Sequence, residues 1–175
     1  YTLLPAHEKK QYSSLHQEMP LGSMSYGQRK LILDGVWNRL LTVKELTYIA
    51  KTQAKEKTGW NGKGKGEVIV VKETKNTLIF QEKGNWQDKE GNITDFSNIF
   101  RWTLDHNMGS IALEHLRRGM NHPVFLFHLA PASSQSLASV DSHLCAGDVY
   151  FGQVTLDRHH LRLNWRVIGS KKNEE

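Results

Sequence analysis

The chain has 175 residues, 38% of them hydrophobic and five of them tryptophan, which suits one folded domain with a real core and excludes disorder over most of its length. Lysine and arginine exceed aspartate and glutamate by 23 to 18, but the surplus is scattered and carries no RNA-binding signature, which disfavours nucleic acid as a partner. The one cysteine excludes an intramolecular disulfide framework and suits a reducing compartment, and no apolar run nears the roughly 20 residues of a membrane span. The expectation is a cytoplasmic protein without a membrane span.

Residues 1–29 show little periodicity and lack the order of a signal peptide. "PLGS" stands before Met24 in the manner of a protease-site or cloning remnant, so this segment is set aside as a tail or linker, partly foreign in origin on that reading. The alternative is a short amphipathic piece that docks through Leu3, Leu4 and Leu15. Residues 30–175 are expected to form a single β-barrel domain.

From Leu31 the pattern predicts strand after strand. "LILDGVWNRLLTVKEL" opens on a Gly–x–Trp element and runs into an alternating stretch. "TGWNGKGKGE" predicts a glycine- and lysine-rich hairpin at a rim, because it lacks the spacing of a phosphate-binding loop. "EVIVVKE" and "TLIFQEKGNW" follow around the turn "TKN", then "SNIFRWTLD" and "SIALEHL" around "HNMG". "VFLFHLA" leads into a serine-rich loop, and the last pair is "GDVYFGQVTLD" with "HLRLNWRVIG".

About eight short antiparallel strands with tight connections, and no convincing long helix, predict an all-β fold: an up-and-down barrel. Alternation supports this. Leu161, Leu163, Trp165 and Val167 share one strand face, and Phe100, Trp102 and Leu104 share another.

Several motifs stand in order along the chain: Leu33–x–Gly35–x–Trp37, Phe100–Arg101–Trp102, "VFLFHL", His143–x–Cys145–x–x–Asp148–x–Tyr150, and Trp165–x–Val167–x–Gly169–x–Lys171–Lys172. Together they resemble an uncharacterised family of small bacterial and fungal proteins, a domain of unknown function. The resemblance covers roughly Leu33 to Lys172 and implies a lipocalin-like, calycin-type barrel; it implies no activity. Ser170 departs from the proline expected before the lysines, which puts the geometry of the last turn in doubt.

Polar residues that alternate into a barrel must bond to one another or to a ligand. The residues expected to form such a ligand site are Arg101, His115, Arg117, His128, His143, Asp148, Tyr150 and Trp165, with arginine suited to a carboxylate and the aromatics to apolar walls. The expected ligand is small and amphipathic or anionic. Cys145 beside His143 suggests thiol chemistry, but the two lie too close in sequence for easy activation geometry, and packing is the better account. His115, His128, His143, Cys145 and Asp148 lack the paired spacing of a zinc motif, so no metal is assigned, and no cofactor is implied. Two other classes stay open: an enzyme using the same interior for acid–base chemistry with a histidine as base and Tyr150 as acid, and a filled barrel that binds a protein partner.

Overall fold

The computed structural model describes residues 24–51, 61–140, 144–145 and 148–169. It opens on a helix, α1 (Tyr26–Leu41), where the sequence pattern predicts a strand. The start is set by a capping box. The Ser25 side chain accepts the Gln28 N–H at 3.1 Å, and the Gln28 side chain accepts the Ser25 N–H at 2.8 Å. Leu33, Val36, Trp37 and Leu40, spaced i, i+3, i+4 and i+7, form its buried face. The β-branched residues and Gly35 in this stretch favour helix only weakly by themselves. The Gly35–x–Trp37 element therefore lies in a helix whose packing, rather than its propensity, holds it.

Ten antiparallel strands follow: β1 (Glu45–Ala50), β2 (Gly62–Thr74), β3 (Thr77–Asp88), β4 (Ile93–Asp105), β5 (Ser110–His115), β6 (Val124–Ser133), β7 (Ser136–Ser139), β8 (Leu144–Cys145), β9 (Asp148–Leu156) and β10 (Leu161–Gly169). They make one sheet in the order β1-β2-β3-β4-β5-β6-β7-β9-β10, with β8 paired to β9 off this path. The sheet curls about a single main core into a half-barrel. The up-and-down order matches expectation, with more strands than the eight anticipated and a helix besides.

The residues expected to make a glycine-rich rim hairpin are strand instead. In β2, Gly62, Gly64 and Gly66 take the inward positions while Lys63, Lys65 and Glu67 are exposed. A β-carbon on Gly66 would lie 2.3 Å from the Lys83 carbonyl oxygen, and one on Gly84 would lie 2.2 Å from that of Lys65. Glycine on facing strands thus permits a close backbone approach that any side chain would prevent.

α1 stops one end of the half-barrel. Its buried face joins Leu78, Trp102, Leu104, Ile111, Leu113, Leu129 and Val154 in one cluster. Polar ties fix its position: Arg39 Nη1 donates to the carbonyls of Asp157 at 2.9 Å and His160 at 3.0 Å, in the β9–β10 turn. Asp34 meets His106 Nε2 at 2.9 Å, in the β4–β5 turn. The helix-side part of the interior is the main apolar core. A smaller aromatic group, Tyr48, Trp86 and Phe96, packs toward the other end, with Tyr48 stacked on Trp86 at 5.2 Å and edge-on to Phe96 at 5.1 Å.

Candidate functional site

Between these two apolar regions the inward-facing rows turn polar. The register places Val68 opposite Glu82 and Glu82 opposite Asn98, one inward position from the row Val70–Phe80–Phe100–His115–Val124. Strand alternation alone puts Glu82, Asn98 and His115 on the inside. Asn98 and His115 are buried, His115 to 1% exposure, while Glu82 keeps partial access to solvent.

A directed chain of hydrogen bonds joins the three. The Arg117 backbone N–H donates to His115 Nδ1 at 2.9 Å, so the neutral ring carries its proton on Nε2. Nε2 then donates to Asn98 Oδ1 at 3.4 Å, and Asn98 Nδ2 donates to Glu82 Oε1 at 3.4 Å. The last two contacts are long for N–H···O bonds and hold their acceptors weakly. Burial opposes charge on both titrating members. It pushes the Glu82 carboxyl up to about 7, offset only in part by the Asn98 hydrogen bond. It draws the His115 imidazole down to about 4, with help from the positive charge of Arg117. At neutral pH His115 is uncharged and Glu82 is divided between its two forms. Among the described residues no lysine, arginine or histidine forms an ion pair with Glu82.

Aromatic rings wall this cluster. Phe100 meets His115 edge-on at 4.7 Å and Trp165 at 6.0 Å, and Trp165 meets Phe127 at 6.1 Å. Tyr150 is buried in the same core, on β9. Deeper in, the buried indole N–H of Trp102 has no hydrogen-bond partner among the described residues.

Of the residues expected to form the site, the structure brings His115, Tyr150 and Trp165 to the interior and places Arg101, Arg117 and His128 outside it. Arg101 lies on the outer face of β4, where its Nε binds Glu114 Oε1 at 2.8 Å. Its neighbours Phe100 and Trp102 take the inward positions that alternation leaves. Arg117 is exposed just beyond β5; its backbone N–H reaches His115, while its charged side chain stays outside and acts on the site only by disfavouring protonation of that ring. His128 stands on the outer face beside Phe125, at 4.7 Å, because a bulge interrupts simple alternation. Leu113 pairs with Phe127 and Glu114 with Phe125, so Leu126 is an extra residue and His128 comes out opposite Ala112. Asp148 begins β9 and pairs through its backbone with Gly169 and Cys145. His143 lies outside the described residues. Glu82 and Asn98 went unnoticed in the sequence: "FQEKGNW" reads as a strand with an ordinary solvated glutamate. The signal available was the parity of Glu82 with Phe80, two residues away on the same face.

A hollow of about 300 Å³ lies outside the barrel between the start of α1 and the β4–β5 turn. Asp34 there is already engaged by Lys30 at 3.1 Å and by His106, which together hold its carboxyl below the usual range. The interior cluster is the better candidate, since its acid has no such partner. Among the described residues no group of three or more histidines, cysteines or acids is placed to hold a metal ion, and no helix is long and apolar enough to cross a membrane.

Comparison with protein families finds a match to a family of unknown function (DUF6314) over residues 44–175. The match takes in all ten strands and leaves out α1 with its Gly35–x–Trp37 element. Neither the curated proteins nor the solved structures contain a significant match.

Proposed function

The chain belongs to the DUF6314 family of unknown function, and for it we propose the role of a small-molecule carrier or sensor, built on a lipocalin-like barrel that binds its ligand inside. The observation that carries this reading is the Glu82–Asn98–His115 chain. Two ionisable groups buried in an apolar interior oppose folding unless they are well bonded, and here the bonds that join them are long. Polar groups kept inside under those terms suit a ligand that completes them. The unpartnered Trp102 N–H supports the same reading. With Arg101 and Arg117 outside, the interior offers an anion no cation among the described residues, so the ligand is better seen as neutral or positively charged than as anionic. The single cysteine favours a cytoplasmic setting for this role.

Native mass spectrometry of freshly purified, undialysed protein tests the proposal. A bound small mass that is lost in His115→Leu and kept in His128→Ala supports it. A clean apo mass, together with no thermal shift from a fragment library in the wild type, refutes it.

One observation favours a second reading. A partly accessible carboxyl that titrates near neutrality is suited to proton transfer. In an acid–base enzyme of this design Glu82, rather than a histidine, is the base. Turnover that rises with pH around 7 and disappears in Glu82→Gln is its signature.

A further inference from the structure

We infer that the interior takes an organic cation: a small amine whose ammonium group meets Glu82 and whose apolar body lies against Phe100 and Trp165. This rests on the reading of the barrel as a ligand-binding protein and specifies the chemistry of that ligand.

The first support is charge complementarity. Glu82 stands at a mid-strand inward position of β3, and among the described side chains the inward residues around it supply no cation. Among the described side chains, the titratable groups that share this part of the interior are His115, which stays neutral, and the phenols of Tyr48 and Tyr150. The charged neighbours Lys65, Glu67 and Lys83 sit on outward positions of β2 and β3. An ammonium group placed at Glu82 would add a charge-assisted hydrogen bond where the carboxyl now accepts only one long contact, from Asn98.

The second support is independent of charge on the protein. Glu82 is ringed by aromatic residues at the neighbouring inward positions. Phe80 and Phe100 lie one inward step toward the helix, and Phe96, opposite Gly84, lies one step the other way. Trp165 closes over Phe100 from β10. Aromatic faces attract cations through their quadrupole, most strongly when water is excluded. An isolated acid inside aromatic walls is the arrangement that recognises amines, whereas a carboxylate ligand would meet repulsion from Glu82 and from the ring faces alike.

The test compares three probes that share a phenylethyl body at pH 8: 2-phenylethylamine, 2-phenylethanol and 3-phenylpropionate, each titrated against tryptophan fluorescence. The amine is expected to bind at least about tenfold more tightly than the alcohol, and the carboxylate most weakly. Glu82→Gln should erase the advantage of the amine, and Glu82→Asp should retain part of it. Lowering the pH to 5.5, where Glu82 is protonated and the amine still charged, should weaken the amine in the wild type alone. Equal binding of the three probes, or an amine preference that survives in Glu82→Gln, overturns the inference while the ligand-binding reading stands. If none of the probes saturates, the inference falls too, and native mass spectrometry then decides whether the reading falls with it. Circular dichroism of each variant separates loss of binding from loss of fold.

Discussion

Replacing Glu82 by glutamine should make the protein more stable at neutral and alkaline pH, and the size of the gain follows from the burial of the carboxyl. Its folded value of about 7 stands above the ordinary 4.5. The folded state therefore holds a proton between these limits that the unfolded chain has released, and stability falls as pH rises through that window. At roughly 1.4 kcal/mol per pH unit the full displacement is worth about 3 kcal/mol, an upper figure because Glu82 keeps some contact with solvent. His115 works in the opposite sense. Its folded value of about 4 lies below the ordinary 6.5, so its contribution is fully present above pH 6.5 and is lost as pH falls toward 4. The two slopes overlap between about pH 4.5 and 6.5 and nearly cancel there. Urea denaturation of the wild type should thus show little dependence on pH across that range. Glu82→Gln should expose the histidine slope, with stability climbing from pH 4.5 to 6.5 and then staying flat. At pH 8 the variant should exceed the wild type by about 1–3 kcal/mol, and at pH 4 the two should differ little. A variant less stable than the wild type at pH 8, or a difference that does not change with pH, would show that Glu82 is not buried as described.

Four further outcomes follow from the packing. Gly152→Ala should destabilise by about 1–3 kcal/mol in thermal or urea unfolding, since its β-carbon would stand 2.4 Å from the Phe127 ring. Gly35→Ala should do the reverse, raising stability by about 0.5–1 kcal/mol, because the site is exposed mid-helix and the new methyl would meet Leu156 at an ordinary 4.0 Å. Trp37→Ala, which empties the helix side of the core, should cost about 3–5 kcal/mol, measured by urea unfolding; a cost below about 1 kcal/mol would mean that α1 is not part of the folding unit. Arg101→Ala should cost under about 1 kcal/mol and leave ligand uptake unchanged, because the ion pair with Glu114 lies on the outer face.

Strand content was legible because period-two alternation is written directly into segments such as "NIFRWTL" and "HLRLNWRV". Each of these alternates cleanly, and Phe100, Trp102, Leu161, Leu163 and Trp165 all join the core as the pattern requires. The helix was hidden by the same criterion. Leu33, Val36, Trp37 and Leu40 fit a helical stripe, yet the β-branched and glycine residues between them also fit a strand, and only a sheet end in need of cover decides between the two. His128 shows a further limit. One extra residue in β6 reverses the face of everything after it, and a bulge leaves no local mark in "VFLFHL".

The sequence by itself determined that the chain is an antiparallel sheet protein with one apolar face per strand, because that depends on residues near in sequence. Of the residues that the sequence offered for the interior, His115, Tyr150 and Trp165 lie inside, while Arg101, Arg117 and His128 do not. The tertiary structure alone decided that β2 and β3 press glycine against glycine and that α1 stops one end of the half-barrel. It likewise decided that Glu82, Asn98 and His115 form one chain of hydrogen bonds. That chain joins residues 16 and 17 positions apart, and the register that aligns them is settled by the packing of the whole sheet rather than by any segment of it.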